Sequence, residues 1–164
     1  MNWPRRAIIR VSILVCLASV CLFKPSHVPA ADLSVVDGDT IRIGAITYRL
    51  HGIDAPEKAQ TCPRAGVEWL CGQEAAKYLR ALTASGSIVC SPQDRDRYGR
   101  VIAVCRSGEI ELNREMVRSG LAWAFTRYSN DYIADEQQAR EHRLGVWNSE
   151  AIPPWEWRRQ KRAQ

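Results

Sequence analysis

The sequence predicts an α+β domain, mainly β, and three observations carry that expectation. Short runs of β-branched and apolar residues, broken by single glycines, fill residues 33–53. A helical repeat replaces the strand pattern at residues 73–82, and two further β-rich runs flank a polar, turn-like stretch near 94–99. With 164 residues the chain has room for one such domain.

Leu33–Val36, Thr40–Ile43 and Ile46–Ile53 read as the first strands, with Gly38 and Gly44 between them. Ala75, Tyr78, Leu79 and Leu82 recur at i, i+3, i+4 and i+7, which predicts a helix over Gln73–Leu82 with one apolar face. Ile88–Cys90 and Val101–Cys105 flank Asp94-Arg95-Asp96-Arg97-Tyr98-Gly99 and predict a hairpin centred near Arg97 and Tyr98. Asn113 is an expected N-cap for a short helix through Arg118, with Gly120 at its C′ position. Asn130–Arg143, polar with scattered alanines, is expected to form a surface helix. Pro153-Pro154 closes a domain expected to span 31–152, and 153–164 form a Pro/Trp/Arg-rich C-terminal tail. Trp69, Trp123 and Trp147 are expected to pack the core.

The first 30 residues look like an address. Arg5, Arg6 and Arg10 precede a charge-free run of 13 residues, Val11–Phe23. A membrane-spanning helix needs roughly 20, whereas a secretory core needs about 7–15. Val28-Pro29-Ala30 places small residues before Ala31. Residues 1–30 are therefore expected to be a cleaved secretory signal peptide. The mature protein would be exported, periplasmic or secreted, with no stable membrane insertion. Four of the 23 bases and none of the 18 acids lie in this segment, so the formal charge of +5 falls to +1 after cleavage. A basic total is thus no argument for nucleic-acid binding; individual arginines must carry it. With 8% aromatic residues, 25% charged residues and only 18 Gly and Pro, the chain is neither collagen-like nor broadly disordered.

Export also decides how the cysteines read. Cys62, Cys71, Cys90 and Cys105 remain after cleavage, and four cysteines allow three connectivities. The hairpin puts Cys90 opposite Cys105, which leaves Cys62 for Cys71. A zinc site is the alternative, but no C-x-x-C pair is present and an oxidising compartment disfavours free thiolates.

Three short motifs carry chemistry. Val36-Asp37-Gly38-Asp39-Thr40 is a turn signal with two carboxylates. Arg49-Leu50-His51-Gly52-Ile53-Asp54-Ala55-Pro56-Glu57 ends an apolar strand in two carboxylates around a proline, and Asp96-Arg97-Tyr98-Gly99-Arg100 is turn-like and basic. Each has a bland reading by itself, as a solvated turn. Together and in this order, with Leu112-Asn113-x-x-Met116-Val117-x-x-Gly120-Leu121-Ala122 and Arg143-Leu144-Gly145-Val146-Trp147, they resemble the staphylococcal nuclease (thermonuclease) family from about Val35 to Trp147.

The resemblance implies an OB-fold, a five-stranded barrel with about three helices. It also implies hydrolysis of phosphodiester bonds in DNA or RNA, with Ca²⁺ as cofactor and 3′-phosphate ends as products. Matched residue by residue, Asp39 and Asp54 would hold the metal, joined by the backbone carbonyl of Ala55, where the family type has threonine. Hard carboxylate and carbonyl oxygens suit Ca²⁺. Glu57 would activate the attacking water. Arg49 and Arg100 would bind phosphate oxygens through planar forks and stabilise charge gained in the transition state. Arg97, Tyr98 and Tyr128 match substrate-binding positions, where a stacked aromatic works on any base. A second family tyrosine falls on Thr126, with Phe125 beside it. His51 alternates onto the face of Arg49 but is expected at the core or rim, since this chemistry needs no imidazole. A monomer acting on single-stranded DNA or RNA is expected. The competing class is a non-catalytic envelope OB-fold module binding acidic polymers such as anionic exopolysaccharide, which would have no use for a water-activating glutamate.

Overall fold

The computed structural model describes residues 32–84 and 87–164, so the expected signal segment lies outside the described residues. Strand β1 (Leu33–Asp37) turns through Gly38-Asp39 into β2 (Thr40–Ile43), and β3 (Ile46–Leu50) follows, all antiparallel. After the turn at His51-Gly52, β4 (Ile53–Asp54) leaves this sheet. Strands β5 (Cys62–Arg64) and β6 (Val67–Trp69) form a small ribbon that leads into α1 (Cys71–Thr83). The long hairpin of β7 (Ile88–Arg95) and β8 (Val101–Ser107) comes next, and β9 (Ile110–Glu111) pairs with the far end of β8. The chain ends with α2 (Leu112–Arg118), β10 (Trp123–Ala124), α3 (Ile133–Glu141), a 3-10 turn over Gly145–Asn148, and α4 (Pro154–Arg162).

Strand order in the main sheet is β1-β2-β3-β8-β7, with β3 and β8 parallel. This five-strand path curls into a half-barrel of the OB type. Helix α1 packs against β1, and α2 packs against β8. The core they close contains Ile41, Leu50, Ile53, Leu79, Ala103, Leu112, Met116 and Val117. Alternation along β8 explains its side choice: Val101, Ala103 and Cys105 are buried and their neighbours are not. None of the described helices is long and apolar enough to cross a membrane.

Several expectations change in detail. The strand read through Ile53 is interrupted at His51-Gly52, because β4 takes β10 as its partner instead of continuing the sheet. Asn113 does not cap α2; Glu111 occupies the cap position. The buried Asn113 amide instead accepts from the Cys105 N–H at 3.0 Å and donates to the carbonyls of His51 (2.9 Å) and Ala103 (3.1 Å). It stitches the β3 end to β8, a better use for a buried amide than an exposed cap. Gly120 follows α2 with φ +71, the left-handed C′ conformation. Trp69 is not a core residue: it lies on the β5-β6 ribbon with the Arg64 guanidinium 3.6 Å above its ring. Trp123 is buried, and Trp147 packs edge-on against it at 5.3 Å. Four α-helices occur among the described residues, where about three were expected. The additional one, α4, is the segment expected to be a tail.

The cysteines pair Cys62 with Cys71 and Cys90 with Cys105. Cys90 and Cys105 are direct cross-strand partners, with Cα atoms 4.0 Å apart.

Candidate active site

Two tight turns meet at one end of the half-barrel. The first joins β1 to β2 and presents Asp39 inward; the second follows β4 and carries Ala55, Pro56 and Glu57. Gly38 is required by close approach, since a Cβ there would lie 2.7 Å from the Cβ atoms of both Ala55 and Ala75. The turns are bonded directly: the Ala55 N–H donates to Asp39 Oδ2 at 2.8 Å. Thr40 adds a hydroxyl donor to Asp39 Oδ1 at 3.0 Å.

Arg49, on β3, bridges the two carboxylates. Its Nη1 lies 2.7 Å from Asp39 Oδ1 and its Nη2 lies 2.6 Å from Asp54 Oδ1. Both aspartates are buried. Burial pushes the Asp39 carboxyl well above the ordinary carboxylate range; Arg49 opposes this, while Asp37 and Asp54 add to it. Burial likewise works against charge on Arg49, but Asp39, Asp54 and Asp37 outweigh it and hold the guanidinium more firmly protonated than usual. The patch sets two carboxylates around the Arg49 guanidinium. Its donors are hard oxygens, which suits a hard divalent cation. Among the described residues no three acidic, histidine or cysteine side chains form a metal cage. A cation here would rest on two carboxylates, a backbone oxygen and water, a set that calcium and magnesium both accept.

Glu57 lies in a turn anchored by Gln60. The Glu57 N–H donates to Gln60 Oε1 at 3.3 Å, and the Gln60 N–H donates to the Glu57 carbonyl at 2.7 Å. Gly72, in the first turn of α1, packs so tightly beneath that a Cβ would fall 1.8 Å from the Glu57 carbonyl oxygen. Buried Gln60 also donates through Nε2 to the carbonyl of Ile152 at 2.9 Å, tying this turn to the approach of α4.

The sequence reading missed Arg158, on α4. Its Nη1 lies 2.6 Å from Glu57 Oε1 and 3.1 Å from Asp54 Oδ1, and its Nη2 lies 2.7 Å from Asp54 Oδ2. Burial disfavours its charge, but the bonds from Asp54 and Glu57 prevail and push its pKa above the usual arginine value. A sequence signal for it exists: Pro154 suits the first position of a helix, and Trp155 and Arg158 then share one face.

Asp39, Arg49, Asp54, Ala55 and Glu57 are therefore brought together. Arg100, Arg97 and Tyr98 form a separate group at the β7-β8 turn. The parallel pairs Tyr48↔Val101 and Arg49↔Ile102 set Arg100 one residue before that ladder, on the strand beside Arg49. Arg100 Nε donates to Asp96 Oδ2 at 2.7 Å, while its terminal nitrogens have no hydrogen-bond partner among the described residues. Burial would raise the Asp96 carboxyl, but bonds from Arg100 and from the Tyr98 N–H hold it below the ordinary range. Arg97 Nη2 donates to the exposed Tyr98 hydroxyl at 2.8 Å. Tyr98, Gly99, Arg100, Arg95 and Thr47 line a shallow cavity of about 290 Å³. Tyr128 is exposed and tilts against Phe125 at 5.2 Å. The half-buried His51 contributes its backbone to Asn113 and Ala103.

Residues 47–149 match the family described as staphylococcal nuclease homologue. The chain is 33% identical over 135 residues to an uncharacterized endonuclease of Escherichia coli, covering 77% of this chain and 82% of that one. It is 34% identical over 143 residues to a micrococcal nuclease of Shigella flexneri (76% and 77% covered). Over 121 residues it is 37% identical to the succinoglycan biosynthesis protein ExoI of Rhizobium meliloti (71% and 63% covered). A match over most of the described domain, with relatives named as nucleases aligned along most of their length, means that the chain belongs to the staphylococcal nuclease family and is a phosphodiester-cleaving nuclease.

Proposed function

We propose that the protein is an exported, calcium-dependent nuclease of low sequence specificity that cuts single-stranded DNA or RNA and leaves 3′-phosphate ends. The observation that carries this reading is the bonding of Asp39, Arg49 and Asp54 into one buried patch, with Glu57 on the adjoining turn. Export is supported by the amino-terminal pattern and by two disulfides.

Asp39, Asp54 and the Ala55 carbonyl would hold the cation. When bound, calcium would supply Lewis-acid polarisation of a phosphoryl oxygen. Glu57 orients a water and takes its proton on a carboxylate oxygen as the water's oxygen attacks phosphorus. The bond from phosphorus to the 5′-oxygen breaks, the 5′-oxygen leaves with the electron pair and takes a proton from solvent to become a hydroxyl, and the phosphate stays on the 3′ side. Arg49 and the terminal nitrogens of Arg100 donate to the phosphate oxygens, more strongly as their charge grows toward the transition state. Arg97 and Tyr98 would hold the neighbouring nucleotide, with Tyr98 stacking on a base; Tyr128 offers a second exposed ring.

Glu57→Gln keeps the shape of the side chain but removes the proton acceptor. It should lower single-turnover cleavage of a short oligonucleotide by roughly 10²–10⁴-fold, with binding equal or slightly tighter. Cleavage at the parental rate would eliminate Glu57 as the base. Cleavage that persists undiminished in EDTA would remove calcium from the reading. A relative named for succinoglycan biosynthesis makes acidic polysaccharide the control polymer, and retention of it without any cleavage of nucleic acid would favour a binding module instead.

A further inference from the structure

Arg158 occupies the chemistry of the site more completely than any residue that the motifs supplied. Its two terminal nitrogens engage both oxygens of Asp54 and one of Glu57. Those are the carboxylates that the proposed reaction needs free, one for a cation and one for a water. The placement is built. In the β4-β10 ladder Trp123 faces Asp54, and Trp155 packs against Trp123 at 6.5 Å and against Phe125 at 5.5 Å. One helical turn later on the same face, Arg158 reaches the carboxylates. Pro154, at the first helical position and buried, and the bond from Gln60 to Ile152 fix the start of α4.

We infer that Arg158 is a positioning residue of the hydrolytic site: an internal cation that holds Asp54 and Glu57 until a divalent cation displaces it from the same oxygens. This rests on the calcium-dependent reading above. Three carboxylates, Asp39, Asp54 and Glu57, face two guanidinium groups, Arg49 and Arg158. A divalent ion added to Asp54 would lie within a few ångströms of both guanidinium charges, an arrangement that low-dielectric surroundings penalise strongly. The arginine has a way out. Its side chain is 31% exposed, and the aromatic anchor of α4 is Trp155, so the guanidinium can swing into solvent while the helix stays docked. The exchange is non-covalent and consumes nothing: Arg158 gives up its three bonds, and the carboxylate oxygens pass to the cation and its waters.

The test is calcium titration into the metal-free parent, Arg158→Gln and Arg158→Lys by calorimetry, without nucleic acid and with folding checked by thermal melting. Glutamine should raise calcium affinity on the order of 10–100-fold by removing the competing charge. Lysine, which keeps the charge without the bidentate fork, should fall between. In the parent, calcium should also shift the Arg158 Nη–H resonances, whose hydrogens are bonded to Asp54 and Glu57, from protected signals to ones exchanging with water. The calcium concentration for half-maximal cleavage should drop in Arg158→Gln. Equal or weaker calcium binding in Arg158→Gln than in the parent overturns the inference and leaves calcium dependence standing. Absence of calcium binding in every variant, with cleavage intact, overturns both.

Discussion

Gly72 shows how little slack the site has at the scale of a residue. A methyl group there would fall inside the Glu57 carbonyl oxygen, so the turn must move. Gly72→Ala should cost about 1–3 kcal/mol by overpacking and, by displacing Glu57, lower turnover more than affinity for an oligonucleotide. Denaturant unfolding alongside single-turnover cleavage checks both effects. Asp96 provides a pH-dependent counterpart. Its folded pKa lies below the ordinary value because Arg100 and the Tyr98 and Arg100 N–H groups favour the carboxylate over the opposing effect of burial. The stability it contributes is therefore present above the unfolded carboxylate value and is lost as pH falls through the lower folded value. Asp96→Asn should melt below the parent at neutral pH and converge with it in acid. A gap that persists unchanged to pH 2 would show that ionisation of Asp96 is not its origin.

At the scale of an element, the β5-β6 ribbon and its disulfide form a brace for the Glu57 turn. Cys71 opens α1, Cys62 opens β5, and Gln60 between Glu57 and this ribbon reaches across to Ile152. Replacing both Cys62 and Cys71 by serine should remove about 2–3 kcal/mol of stability, as loop closure over so short a span implies. It should also loosen the Glu57 turn more than the replacement of Cys90 and Cys105, whose hairpin is already held by strand pairing; amide exchange at Gln60 reads the difference. Which elements were legible follows from how local their determinants are. The β1-β2 turn, the β7-β8 hairpin and α1 are written in nearest-neighbour turn residues and one apolar stripe. Asp39, Arg49, Asp54 and Glu57 sit in compact motifs that each read alone as a solvated turn; only their order, through its family resemblance, singles them out as candidates. Asn113 and Trp69 were misplaced because their partners, His51 and Ala103 for one and Arg64 for the other, are chosen by tertiary packing. Arg158 escaped notice for the same reason at greater range.

At the scale of the whole molecule, residues 31–164 carry a formal charge of only +1, so attraction for a polyanion is local to a few guanidinium groups. If Arg49 and Arg100 share the phosphate that is cut and Arg97 meets its neighbour, log affinity for single-stranded DNA should fall with log salt at a slope near −1.4, from about −0.7 per phosphate. Charge neutralisation at Arg97 should make that slope shallower by about 0.7; a slope unchanged in Arg97→Gln would remove it from the contact set. The fork of Arg158 also joins positions 104 and 101 residues apart in the chain, Asp54 and Glu57. Closing so large a loop is entropically late, so the hairpin and helices are expected to assemble first and the carboxylates to gain this partner last. A stopped-flow refolding trace should therefore resolve the environment of Trp155 after the far-ultraviolet signal has recovered. A chain emerging amino end first would hold the barrel before it holds α4, and would spend that interval with Asp54 and Glu57 open to whatever cation its compartment provides.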